Sequence, residues 1–158
     1  MSWSIEIECS VPAVRMFNVS IHGWHIHGSK ILPEIIKSGS TIHVDGAVGS
    51  VRQTNFSSAM PFPYIKERLE FLDVKNMELK QSVIEGGHLG TKIESASTHF
   101  KFTPTGSGES CICKMIATYK VLPGVEPSEA EETKVKEEFI RVIKASEAFL
   151  LANTDVCV

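Results

Sequence analysis

Apolar residues at Trp3, Ile5, Ile7 and Cys9 alternate with Ser4, Glu6 and Glu8, a period of two that predicts a half-buried first strand. Pro12 suits a first helical turn. The apolar spacing over residues 13–21 then predicts a helix ended by Gly23, and residues 31–36 read as a second short helix. From Ser40 onward the pattern changes to strands, over 41–44, 48–56, 64–72, 77–85, 93–102 and 111–121. Turn chemistry separates them at Asp45-Gly46, at Pro61 and Pro63, at Lys75-Asn76, at Gly86-Gly87 and through Thr105-Gly106-Ser107-Gly108. With the first, these make seven strands.

The C-terminal pattern is helical. Ser128-Glu129-Ala130-Glu131 reads as a capping box, acids crowd the next turn, and Lys134, Lys136, Arg141 and Lys144 follow as the helix dipole favours. A helix over 129–152 would run roughly 36 Å. Val135, Phe139, Val142, Ile143, Phe149 and Leu150 fall on one stripe, which needs one large apolar surface. A twisted seven-stranded antiparallel sheet supplies that surface, so the expected fold is a single α+β domain over 1–158, with the two short helices closing one end.

Composition narrows the function. The 158 residues are 42% hydrophobic and 22% charged, too apolar for disorder, and the formal charge of −3 with no basic stripe argues against a nucleic-acid partner. No run is long and apolar enough for a membrane span, and no signal peptide is visible at MSWSIEIECS, so a cytosolic monomer is expected. In that compartment Cys9, Cys111, Cys113 and Cys157 are expected as free thiols, with Cys111 and Cys113 as small core residues. His22, His25 and His27 lack a further ligand at zinc spacing, and no metal or other cofactor is expected. The stretch VDGAVGSVRQ is not a nucleotide loop: that requires GxxxxGK[ST] followed by a helix, whereas Gly49 is followed by Ser50, Val51 and a strand pattern.

Four segments in order, VDGAVGSVRQTNF, PFPYIKERLEFLD, SVIEGGHLG and KASEAFLLAN, resemble the plant pathogenesis-related class 10 proteins, the family of the major birch pollen allergen. The Trp24-His25 segment and YKVLPGV resemble its monocot members most. The resemblance implies a helix-grip, START-like fold: a curved seven-stranded sheet gripping the long helix, two short helices in a V, and an internal cavity. It implies an intracellular defence-related protein that binds a small amphipathic ligand there, such as a cytokinin, another phytohormone or a flavonoid. The family's glycine-rich loop corresponds to Asp45, Gly46 and Gly49, but Val44 and Ala47 stand where the family usually has glycine, which weakens any phosphate-binding role for it.

By alternation and by family position, the ligand-facing residues are Ile26, Thr54, Phe56, Phe62, Tyr64, Glu67, Leu79, Gln81, Val83, His88, Ala96, Thr98, Phe100, Phe139, Val142 and Ile143. Leu79 and Gln81 occupy positions where many relatives carry tyrosine, so ligand preference should differ from the birch protein's. The resemblance also carries two catalytic alternatives. Ribonuclease activity would fall on Arg52, Glu94 and Glu147, with Phe149 in place of a tyrosine; a condensing activity of specialised metabolism would use the cavity acids and His88 as base.

Overall fold

The structure is a computed structural model that describes residues 1–43 and 47–157. Its strands are β1 (Ser2–Cys9), β2 (Ile36–His43), β3 (Val51–Phe56), β4 (Tyr64–Asp73), β5 (Glu78–Gly86), β6 (Ile93–Thr105) and β7 (Ser110–Val121). They form one antiparallel sheet in the order β1-β7-β6-β5-β4-β3-β2, so the first two strands become its two edges. The helices are α1 (Ala13–Phe17), α2 (Trp24–Ile31) and α3 (Glu129–Ala152). No helix among the described residues is long and apolar enough to cross a membrane.

Helix α3 spans the predicted residues. The Ser128 hydroxyl accepts the Glu131 N–H at 3.2 Å, satisfying one orphan donor of the first turn. Its buried stripe is Phe139, Ile143, Ser146 and Leu150, while Val135, expected on that stripe, is 45% exposed. The last turn of α3 has no basic residue of its own. Arg15 of α1 supplies the charge from outside, donating to the carbonyls of Leu150 (3.2 Å), Asn153 (2.8 Å) and Val156 (3.0 Å). A guanidinium there satisfies orphan carbonyls and complements the negative end of the dipole.

The short helices differ from expectation. α1 stops at Phe17 and passes into a π-helical turn over Asn18–His22 before Gly23. The predicted helix over 31–36 is not formed; α2 begins at Trp24, Ile31 is its last residue and Ile36 already opens β2. Pro33 is the cause, because its ring disfavours helical backbone at the preceding residue, and Leu32 leaves the helix at φ −129, ψ 64. Leu32, Ile35 and Ile36 instead form a small second core with Trp24, Phe56, Met60, Val142 and Ala145. α2 can lie on β2 only because Gly39 has no side chain: a Cβ there would meet the His25 backbone oxygen, Cα and carbonyl carbon.

The predicted strand over 48–56 starts at Val51, with Ala47–Gly49 in a turn. Two calls on this loop, the Asp45-Gly46 turn and the end of the strand at Val44, lie outside the described residues.

Candidate functional site

Burial across the concave face of the sheet is graded. Leu69, Leu79, Phe100, Phe102 and Ile143 are at most 5% exposed and form a sealed floor, with the rings of Phe100 and Phe139 tilted together at 5.6 Å. Beyond it, Glu67, Gln81, Val83, Ala96 and Thr98 also lie on the inner side, yet each is only half-buried. The backbone of α3 comes close to β1, α1 and α2 and makes no comparable approach to β4, β5 or β6. The half-buried residues thus form an inner surface on the side of the sheet that faces α3.

One polar chain runs along this inner surface. Arg52 on β3, only 8% exposed, donates through Nη1 to the His22 carbonyl at 2.5 Å and through Nη2 to Gln81 Oε1 at 3.0 Å. Gln81 Nε2 then donates to Glu67 Oε2 at 2.9 Å. Arg52 and Glu67 are register partners on adjacent strands, so the charges are close and Gln81 bridges them. Burial pushes the Glu67 carboxyl above its ordinary pKa and Arg52 pulls it back; burial lowers Arg52 and Glu67 opposes that. Glu67 is surrounded by protein yet retains accessible surface, as a side chain facing internal space does. His25 Nδ1 lies 3.5 Å from Arg52 Nη1, and burial, then that cation, lower its pKa to about 4, so it is neutral at neutral pH.

At the end of the sheet near the Gly86-Gly87 turn, Phe56 meets Phe62 edge-on at 5.4 Å and Phe62 meets His88 at 4.9 Å. A cleft of about 230 Å³ opens beside them along Phe56–Pro63. Gly86 has φ +79 and is approached by the Tyr64 carbonyl, which explains a glycine there. Burial lowers the His88 pKa, so the ring is a neutral donor and acceptor next to an aromatic wall.

The sequence matches the Pathogenesis-related protein Bet v 1 family over residues 1–153. The chain belongs to that family. It is 46% identical over 153 residues to pathogenesis-related protein 1 of Asparagus officinalis, covering 96% of this chain and 94% of that one. The crystal structure of Ara h 8.0201 superposes with a TM-score of 0.83 at 17% identity, covering 96% and 98% of the two chains. Norcoclaurine synthase from Thalictrum flavum, in complex with dopamine and hydroxybenzaldehyde, gives 0.70 at 24% identity, covering 96% and 87%.

Within this Bet v 1 framework the expected site residues separate into groups. Arg52, Thr54, Phe56, Glu67, Gln81, Val83, Ala96 and Thr98 lie on the inner side of their strands, and Val142 of α3 packs, as Phe56 does, against the Leu32, Ile35 and Ile36 cluster. Leu79, Phe100, Phe139 and Ile143 belong to the sealed floor. Ile26 is 60% exposed on α2. Tyr64 is a correction: it pairs in register with the outward Asn55, its phenol donates to Glu85 at 2.6 Å, and the Lys66 ammonium lies 5.7 Å from its ring centre. Ile65 takes the inward place, its Cδ1 against Gly87. Alternation along β4 is unbroken here, so Tyr64, three residues from the inward Glu67, must face out.

Arg52, Glu94 and Glu147 are not brought together by any shared contact. Glu94 is exposed and paired with Lys120 at 3.0 Å. Glu147 Oε2 accepts the Ser10 N–H at 2.6 Å, binding α3 to the end of β1. Gly49, the one described residue of the three in the glycine-rich loop, has φ +94 with open space around it. Among the described residues no group of three His, Cys, Asp or Glu converges to hold a metal. Besides Ile65, an inner residue missed from sequence is Tyr119 on β7, register partner of Ala96, which donates to Glu132 of α3 at 3.0 Å. Alternation counted from Cys111 would have found it.

Proposed function

We propose that this Bet v 1 family member is a cytosolic, monomeric carrier that binds one small amphipathic molecule, of phytohormone or flavonoid type, between the sheet and α3 without altering it chemically. The observation that carries the reading is the half-buried inner surface between sealed floor and aromatic mouth, mostly apolar, with the Arg52–Gln81–Glu67 chain as its charged element. Small-molecule sites commonly have that form: apolar walls and a few fixed polar groups. The elevated pKa of Glu67 favours a carboxyl able to donate as well as accept.

Burying roughly 200 Å² of apolar ligand at about 25 cal/mol/Å² supplies about 5 kcal/mol before association costs. Micromolar affinity needs about −8 kcal/mol, so polar contacts must contribute, and Glu67 and Gln81 supply them. Native mass spectrometry with a panel of cytokinins and flavonoids, followed by calorimetry, tests this. A 1:1 adduct is expected, lost in Ala96→Phe, which fills the space, and weakened roughly tenfold in Glu67→Ala, an effect the size of one hydrogen bond. Absence of any adduct, or affinity unmoved by both changes, would refute it.

A further inference from the structure

Cys9 and Cys111 are Cα partners in the β1–β7 ladder. The ladder type at that point follows from its far end, where the Met1 amino group donates to the Tyr119 carbonyl at 2.6 Å and the Tyr119 N–H returns to the Met1 carbonyl at 2.8 Å. That reciprocal pair is a hydrogen-bonded one, and the register runs from it to Cys9 without a bulge. Pair type alternates along an antiparallel ladder, so the odd-numbered residues of β1, Cys9 among them, sit in hydrogen-bonded pairs. Their Cα atoms are then about 5.5 Å apart, inside the range that a disulfide spans.

Both side chains point to the same inner face, at 3% and 1% exposure, and the Cys9 thiol donates to the Ile7 carbonyl at 3.9 Å. Cys113 is two residues along the same face, opposite Ile7, so its approach to Cys9 is the longer diagonal. The Cys9–Cys111 pair also sits at the end of an edge strand, one residue before Ser10 and close to the turn at Gly106 and Gly108, and a small oxidant reaches it through local opening.

We propose that Cys9 and Cys111 are a redox modification site, closing a reversible cross-strand disulfide in the presence of hydrogen peroxide. The Cys9 thiolate attacks one peroxide oxygen and the O–O bond breaks, leaving a sulfenic acid and, with one proton, water. The Cys111 sulfur then attacks the Cys9 sulfur; the S–S bond forms, and the hydroxyl leaves with the Cys111 proton as a second water. Two thiols are oxidised and one peroxide is reduced to two waters. Cys9 is the attacking group because the neighbouring Cys111 thiol lowers its pKa, with Lys144 assisting, by more than burial and Glu147 raise it, while Cys9, burial and Glu147 hold the Cys111 thiol far above its ordinary pKa.

The test is mild peroxide treatment of the full chain under native conditions, read by intact mass, thiol titration and non-reducing peptide mapping. Of the four thiols, two should disappear with a loss of about 2 Da, and the peptides holding Cys9 and Cys111 should be joined until a dithiol reductant is added. The same result is expected in Cys113→Ser and Cys157→Ser. It should vanish in Cys111→Ser and in Cys9→Ala, the second variant guarding against one that fails to fold. The bond closes a loop of about 100 residues, so oxidation should also raise Tm by several degrees. Oxygen addition without the mass loss, a cross-link through Cys113 or Cys157, or thiol loss persisting without Cys9 would overturn the proposal.

Discussion

Replacing Arg52 by Met tests whether the buried polar chain holds the site together. The guanidinium donates to the His22 carbonyl and to Gln81, and it is the cation facing Glu67. Met keeps most of the volume and loses all three interactions. Hydrogen bonds from a charged group contribute about 1.5–3 kcal/mol each, and breaking a buried charge pair from one side costs about 3–5 kcal/mol. These overlap, so a loss of about 4 kcal/mol is expected, which for a chain of 158 residues lowers Tm by roughly 10 °C. Urea unfolding followed by Trp3 and Trp24 fluorescence measures it. The double variant Arg52→Met/Glu67→Leu should recover about 2 kcal/mol, because no uncompensated carboxylate remains.

The loss must also depend on pH in one direction. The folded protein holds the Glu67 proton more tightly than the unfolded chain, so this group's contribution is fullest in acid and falls as pH rises through its elevated pKa. Without Arg52 that pKa rises further. The gap between wild type and Arg52→Met should therefore be widest at neutral pH and narrow towards the ordinary carboxylate range. A loss below about 1 kcal/mol, strict additivity in the double variant, or a gap that widens in acid would refute the reasoning.

Three further outcomes are expected. Gly39→Ala should cost about 3 kcal/mol in chemical unfolding, since the clash is with His25 backbone rather than a movable side chain. Glu147→Gln should cost about 1–2 kcal/mol by weakening the charge-assisted Ser10 bond, and should leave unchanged any RNA cleavage by nuclease-free protein. The His25 ring should titrate near 4 by NMR; its folded pKa lies below the unfolded value, so its contribution to stability is present at neutral pH and lost as pH falls through that range.

Alternation and helical spacing made most of the elements legible, because each reflects burial of one face and can be counted locally. Helix α3 and the cores of the later strands illustrate this, and so does the inward side of β5 from Leu79 to Val83. Residues 31–36 were misread because a short apolar run fits helix, loop or strand, and Pro33 decided between them. Tyr64 was misplaced for another reason: it lies three residues from Glu67, so alternation turns one of the two outward, and pairing with β3 decides which.

Membership of the Bet v 1 family and the long amphipathic helix on a seven-stranded sheet were properties of the sequence itself. Local periodicity encodes which face of an element is buried, and nothing distant is needed to state it. The partners across the fold were decided only by tertiary structure: Arg15 on the end of α3, Glu147 on Ser10, Arg52 on the His22 carbonyl, Cys9 beside Cys111. Each joins residues separated by 30 to 141 positions along the chain, and their proximity is set by the order of strands and the curvature of the sheet rather than by any local preference.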